Sequence, residues 1–346
     1  MKKTKIQLQI YLLMKSKKIM HKRRKKKISI QRQFNKTRIK KNKSLYNVYA
    51  PEIFKVRTSP ERLIFINFIN KVESILHSGR SVRLHLEDVE ELHPCGTLIF
   101  LAKLEIWLAS KPEAIVGTYP KDNIAEQLLQ NVGALNLLGL PPRQEITSEK
   151  VLPWHFHSGR KVAANAYESL TLSVLGNDLN HPEKQLFADC LNEAVDNIVG
   201  HAYAFNVYHT PQPVLQKWWI FSLSEKDRVF VSIFDSGVTI PRSLRKKDGW
   251  ASYISARTYL SDSRLIKLAS TTKETSTKLP NRGKGLPEMV EFSKNLSSGG
   301  LTIFSGRAAF SYNAEKDRLQ NRPLDCYLPG TLVLWHLPFQ KERRND

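Results

Sequence analysis

Apolar and polar positions along this chain recur with two periods, and each change of period marks an element. Leu63, Phe65, Ile66, Phe68, Ile69, Val72 and Ile75 follow the three- and four-residue spacing of a buried helix. Ser59-Pro60-Glu61-Arg62 reads as its start, with Ser59 as N-cap, proline in the first turn and an early carboxylate, and Gly79 as its end. Val82, Leu84 and Leu86 then alternate with Arg83, His85 and Glu87, the period of a strand. A helix is expected from about Thr97 to Ser110, a short strand over Ala114–Thr118, and a helix from Asp122 to about Leu137. Strands alternating with helices predict a small α/β unit over residues 46–140.

Prolines 141, 142 and 153 mark the stretch 141–158 as a linker. A second unit is expected over residues 159–340. It opens with two helices, followed by a strand pair, Trp218–Ser224 and Val229–Asp235, joined by the polar Glu225–Arg228. Ser236–Arg282 is long and polar. A helix from Gly285 to about Asn295, strands over Leu301–Ser305 and Ala309–Tyr312, and a last strand Thr331–Leu337 complete the unit. Helices on one side of a mostly antiparallel sheet make an α+β sandwich, so the predicted fold class is α/β followed by α+β.

The net charge of +22 changes little in this picture once it is located. Residues 1–43 hold 18 Lys and Arg and no acid, while the remaining 36 basic residues face 32 acidic ones. So dense a run of like charge predicts a solvated arm, with nucleic acid or an anionic surface as the contact it suits. Its apolar stretch, Ile10–Met14, is too short to span a bilayer and is not followed by a small-residue cleavage site. Cys95, Cys190 and Cys326 form no metal-ligand spacing and suit a reducing, cytoplasmic setting.

Candidate chemistry gathers in the second unit. Glu193, Asn197 and His201 are four residues apart and share one helix face, with Leu186, Cys190, Ala194 and Ile198 as a neighbouring apolar stripe. A carboxylate beside a carboxamide offers hard oxygen ligands for Mg²⁺, and the carboxylate can also orient or deprotonate a hydroxyl. The strand Val229–Asp235 ends in Asp235-Ser236-Gly237, where the acid can accept from an exocyclic amine and Gly237 allows close backbone approach. Gly283-Lys284-Gly285 opens a helix and can turn backbone N–H groups and one cation toward phosphate. Ser270-Thr271-Thr272-Lys273 offers a candidate lid, and Thr331, after Gly330, a hydroxyl to support the base-binding Asp235.

These four motifs, in this order, resemble the nucleotide-binding elements of the GHKL superfamily with its Bergerat fold. The pattern around Glu193, Asn197, His201 and Tyr203 is especially similar to the serine kinases that act as anti-sigma factors. The resemblance implies ATP and Mg²⁺ as cofactors, with Glu193 as catalytic base and Asn197 on the metal. It places Asp235 and Gly237 at adenine, Gly283, Lys284 and Gly285 over the phosphates, and Thr331 behind Asp235. Two positions depart from the pattern: Thr239 stands for a second glycine, and Pro287-Glu288 for a second Gly-Leu. No His-Glu phosphoacceptor dipeptide precedes the unit, which disfavours a two-component histidine kinase.

The first unit resembles a STAS domain, the fold of anti-anti-sigma factors. Where that family carries its phosphorylated serine, this chain has His93-Pro94-Cys95-Gly96, with proline at the serine position and Thr97 expected to cap the following helix. The combined expectation is an ATP/Mg-binding regulator acting by partner switching, with turnover, if any, being phosphoryl transfer to a protein serine or to water. A nucleotide-gated interaction module without turnover and a nucleic-acid-binding regulator using the basic arm stay open beside it. A protein partner is expected, and homodimerisation is left open.

Overall fold

The computed structural model describes residues 45–152, 154–160, 181–203, 215–225, 228–246, 260–271 and 285–338, and the expected basic arm lies outside them. In chain order they form β1 (Leu45–Tyr49), β2 (Ile53–Phe54), α1 (Glu61–His77), β3 (Ser81–His85), β4 (Glu91–Leu92), α2 (Pro94–Ser110), β5 (Ile115–Gly117), α3 (Asn123–Asn131), α4 (Ala134–Leu137) and β6 (Trp154–Gly159). There follow α5 (His181–Asn197), which runs on into a π-helical turn (Ile198–Ala202), β7 (Trp218–Glu225), β8 (Arg228–Asp235), α6 (Ile240–Lys246), α7 (Asp262–Thr271), α8 (Gly285–Lys294), β9 (Gly300–Asn313) and β10 (Arg318–Pro338). The class is mixed, α/β and then α+β, and no helix among the described residues is long and apolar enough to cross a membrane.

In the first unit β1, β3 and β5 pair in parallel, in the order β1-β3-β5, with a separate parallel pair β2-β4. Three local expectations are corrected here. Ser59 does not cap α1; its hydroxyl donates to Asp325 on β10, so tertiary contact outcompetes the local cap. The helix expected from Asp122 to Leu137 breaks at Gly133, whose φ of +86° separates α3 from α4. Helix α2 begins at Pro94 rather than near Thr97, because proline, which has no N–H, fits the first turn, where a backbone N–H finds no acceptor within the helix. Thr97 is fully buried, and its hydroxyl donates to the His93 carbonyl at 2.9 Å instead of capping.

The second sheet is antiparallel, in the order β6-β7-β8-β10-β9. β6 falls inside the stretch expected as linker: Trp154 is buried and the strand pairs with β7, so the sheet starts earlier than composition suggested. The two strands expected at 301–305 and 309–312 are one strand, bent where Gly306 takes φ +62°. Thr331–Leu337 is the last part of a much longer β10, and Gly330-Thr331 lies inside it at an irregularity rather than before it. Leu186, expected in the buried stripe of α5, is 49% exposed; Phe187, Leu191 and Val195 join Cys190, Ala194 and Ile198 inside.

Strand alternation gives this sheet two apolar faces. Ile220, Val231, Ile233, Val333 and Trp335 pack with Phe187, Leu191, Val195, Met289 and Val290 of α5 and α8. The opposite face, with Trp219, Phe221, Phe234, Phe304, Leu332 and Leu334, joins the core of the first unit. Helix α2 therefore lies between two sheets, which explains why it is apolar all round. Polar bonds fasten the seam. Lys217 Nζ reaches Glu105 Oε2 at 2.6 Å, the Trp219 indole donates to the same oxygen at 3.1 Å, and Arg62 pairs with Asp325 at 2.8 Å.

Candidate functional site

Of the predicted site residues on described elements, Glu193, Asn197 and Gly285 meet at the C-terminal half of α5, while Asp235, Gly237 and Thr331 lie at the end of β8, where it meets the turn that follows α5. Glu193 and Asn197 lie one turn apart, against the first residue of α8. A Cβ at Gly285 would stand 2.5 Å from Asn197 Nδ2 and 2.8 Å from Glu193 Oε2, so glycine is what lets the two elements meet. Gly283 and Lys284 lie outside the described residues. Glu193 is half-buried, and its pKa is raised by desolvation first and then by the carboxylates of Glu288, Asp196 and Asp189. Asn197 Nδ2 is buried without a hydrogen-bond partner, as is Asn192 Oδ1. An amide left without a partner beside a partly desolvated carboxylate is poised for a ligand rather than for a core.

Beyond Asn197 the helix loosens into the π-helical turn, a form that often marks functional sites. That turn carries His201 and meets the end of β8. The Ala202 carbonyl accepts from Val238 N at 2.8 Å and occupies the space a side chain at Gly237 would need. The glycine thus has a packing reason of its own. Tyr203 ties the corner together: its hydroxyl donates to the Lys217 carbonyl at 2.6 Å and accepts from Ser236 N at 3.2 Å.

Asp235 ends β8 on the helix-bearing face and is 3% exposed. Its Oδ1 accepts from Gly237 N at 2.9 Å, and burial pushes its pKa up to about 7. Thr331 sits directly across from it on β10 and Trp218 across from it on β7. The Thr331 hydroxyl is 2.9 Å from Ser305 Oγ, which also donates to the Gly330 carbonyl and accepts from Ile240 N. The sequence marks Ser305 as a strand end and not as a site residue. Its one signal was a polar residue closing the apolar run Leu301–Phe304, which spacing alone does not separate from a strand end. Of the expected lid, Ser270 and Thr271 end helix α7, and Thr271 Oγ1 bonds back to the Lys267 carbonyl at 2.9 Å; Thr272 and Lys273 lie outside the described residues.

Among the described residues no three His, Cys, Asp or Glu gather as a metal site. A magnesium ion beside Asn197 would therefore draw most of its ligands from a bound phosphate and water, as Mg²⁺ commonly does. No family model and no curated protein matches this chain.

Proposed function

We propose that this chain is an ATP- and Mg²⁺-binding regulatory protein with a GHKL-type nucleotide site in its second unit. The observation that carries the reading is the convergence of Glu193, Asn197, Gly285 and the Asp235–Gly237 corner on one helix end, from segments nearly a hundred residues apart. Bound ATP with its metal supplies an electrophilic terminal phosphoryl group. Asp235, buried and desolvated, accepts from the adenine amine, with Thr331 and Ser305 holding the adjoining strands. Asn197 turns its carboxamide to the metal. Glu193 takes the proton of an attacking hydroxyl, a role that its raised pKa suits.

The shared core supports a second element of the reading. The unit resembling a STAS domain covers the back of the sheet that carries Asp235. Thr97, the hydroxyl nearest the position of the family's phosphoserine, is fully buried and spent on the His93 carbonyl. This unit acts by docking rather than as a phosphate acceptor. Titrating the full chain with ATP by calorimetry, with and without Mg²⁺, tests the proposal together with a phosphate-release assay. Saturable binding that strengthens with Mg²⁺ is expected, and absence of binding in both conditions sinks it.

A further inference from the structure

Away from the proposed nucleotide site, on the opposite face of the second sheet, lies a cleft of about 420 Å³ that neither unit forms alone. The first unit contributes Lys55, Arg57 and His93, and the second contributes Thr302, Ser311 and Arg322 from β9 and β10. A smaller chamber of about 140 Å³ shares Lys55, Arg57 and His93 and is floored by Leu223, Phe230 and Leu334. The cleft is cationic at one end and apolar at the other.

Among the described residues Lys55, Arg57 and Arg322 take part in no ion pair, although Glu61 and Glu91 stand at the rim, the latter 2.7 Å from His93 Nε2. Glu61 feels the charge of Lys55, but none of the three cations is paired directly with a carboxylate among the described residues. Arg322 Nη2 donates to the Arg57 carbonyl at 3.1 Å, and Arg62, itself anchored on Asp325, donates to the Val56 carbonyl at 3.2 Å. These bonds fix the backbone that presents Lys55 and Arg57. Three like charges left together cost free energy unless an anion joins them. The local field is strong enough to act on a neighbour. His336, whose Nε2 is buried and without a partner, has its pKa lowered to about 3 by burial first and then by Arg57 and Arg228.

We infer that this seam cleft binds a small phosphorylated molecule with a flat apolar body. The cations and the hydroxyls of Thr302 and Ser311 suit phosphate oxygens. Phe230, which meets His336 edge-on at 4.7 Å, and the leucines beside it suit a ring. A metal ion is repelled by the same cations, and a purely apolar ligand leaves them without a partner. Because both units line the cleft, the ligand binds only their docked arrangement and stabilises it by mass action. Small-molecule control of docking is thereby built into the seam, independently of whether the other face takes ATP.

The test is calorimetry of the full chain with phenyl phosphate, which carries a ring and a phosphate but no adenine. Expected is one-site binding that weakens at least about tenfold in Arg57→Ala, and similarly in Ser311→Asp, which adds a negative charge without removing a backbone bond. Asp235→Asn should leave it unchanged, and inorganic phosphate alone should bind more weakly. Thermal melts of the free variants verify that both fold. No saturable binding to the wild type, or binding that survives both Arg57→Ala and Ser311→Asp in folded protein, overturns the inference.

Discussion

Replacing Asp235 by asparagine separates two effects of the carboxylate that oppose one another. In the free protein the group is 3% exposed, accepts one hydrogen bond from Gly237 N, and has its pKa pushed from 3.8 to about 7 by burial. A folded pKa above the unfolded one means that the native state binds more protons between the two values. The stabilisation is then fully present below about pH 4 and is lost as pH rises through 7. At pH 8 the buried charge costs roughly 4 kcal/mol by this linkage. The Asp235→Asn side chain keeps a carbonyl for Gly237 but adds an amide that needs a partner, so a net gain of about 2 kcal/mol is expected. Thermal melts of the nucleotide-free proteins from about pH 5 to about pH 8 should show Asp235→Asn increasingly more stable than the wild type as pH rises. With ATP this advantage shrinks, because the amide no longer accepts the adenine amine in the same way; calorimetry should show a loss of roughly 1–3 kcal/mol in binding. Parallel pH profiles for the two proteins would refute the buried charge, and unchanged ATP affinity would remove Asp235 from the base pocket.

Glu193→Ala should abolish turnover while leaving ATP binding largely intact, whereas Asn197→Ala should lose the Mg²⁺-dependent part of the affinity; normal hydrolysis in both makes the helix structural. If Glu193 is the base, turnover should rise with pH through an inflection above 4.5, since a protonated carboxyl cannot accept a proton; a flat pH–rate profile argues against it. Glu105→Ala leaves the Lys217 ammonium and the Trp219 indole without their acceptor and should destabilise the chain by about 1–3 kcal/mol, read as a lower urea midpoint. An unmoved midpoint would mean that this seam bond adds nothing. After incubation with Mg-ATP, mass spectrometry should find Thr97 unmodified; stoichiometric, Glu193-dependent phosphate there would restore a phosphoswitch in the first unit.

Helices α1 and α8 and strand β3 were legible in the sequence because each carries its own period, and helix α2 and strands β7 and β8 because each is a long apolar run; both signals depend only on the residues of one element. The candidate site residues group in the sequence for a related reason. Glu193 and Asn197 are one helical turn apart, and Asp235 and Gly237 close one strand, so local geometry alone groups them. Everything that joins distant segments was decided by tertiary structure. Ser59 has the chemistry of a helix cap, yet Asp325, reached only when β10 folds against α1, is the partner it takes. Leu186 fits an apolar stripe that ends in solvent, because the packing of α8 selects Phe187 and Leu191 instead. The all-apolar α2 foretells burial without saying against what, and only the fold shows a second sheet behind it. Lys55 and Arg57 in one stretch of sequence, and Arg322 in another far from it, read as ordinary surface cations. Their proximity, and the neutral His336 beside them, follow from the docking of one unit on the other, an energy shared among residues that no single window of sequence contains.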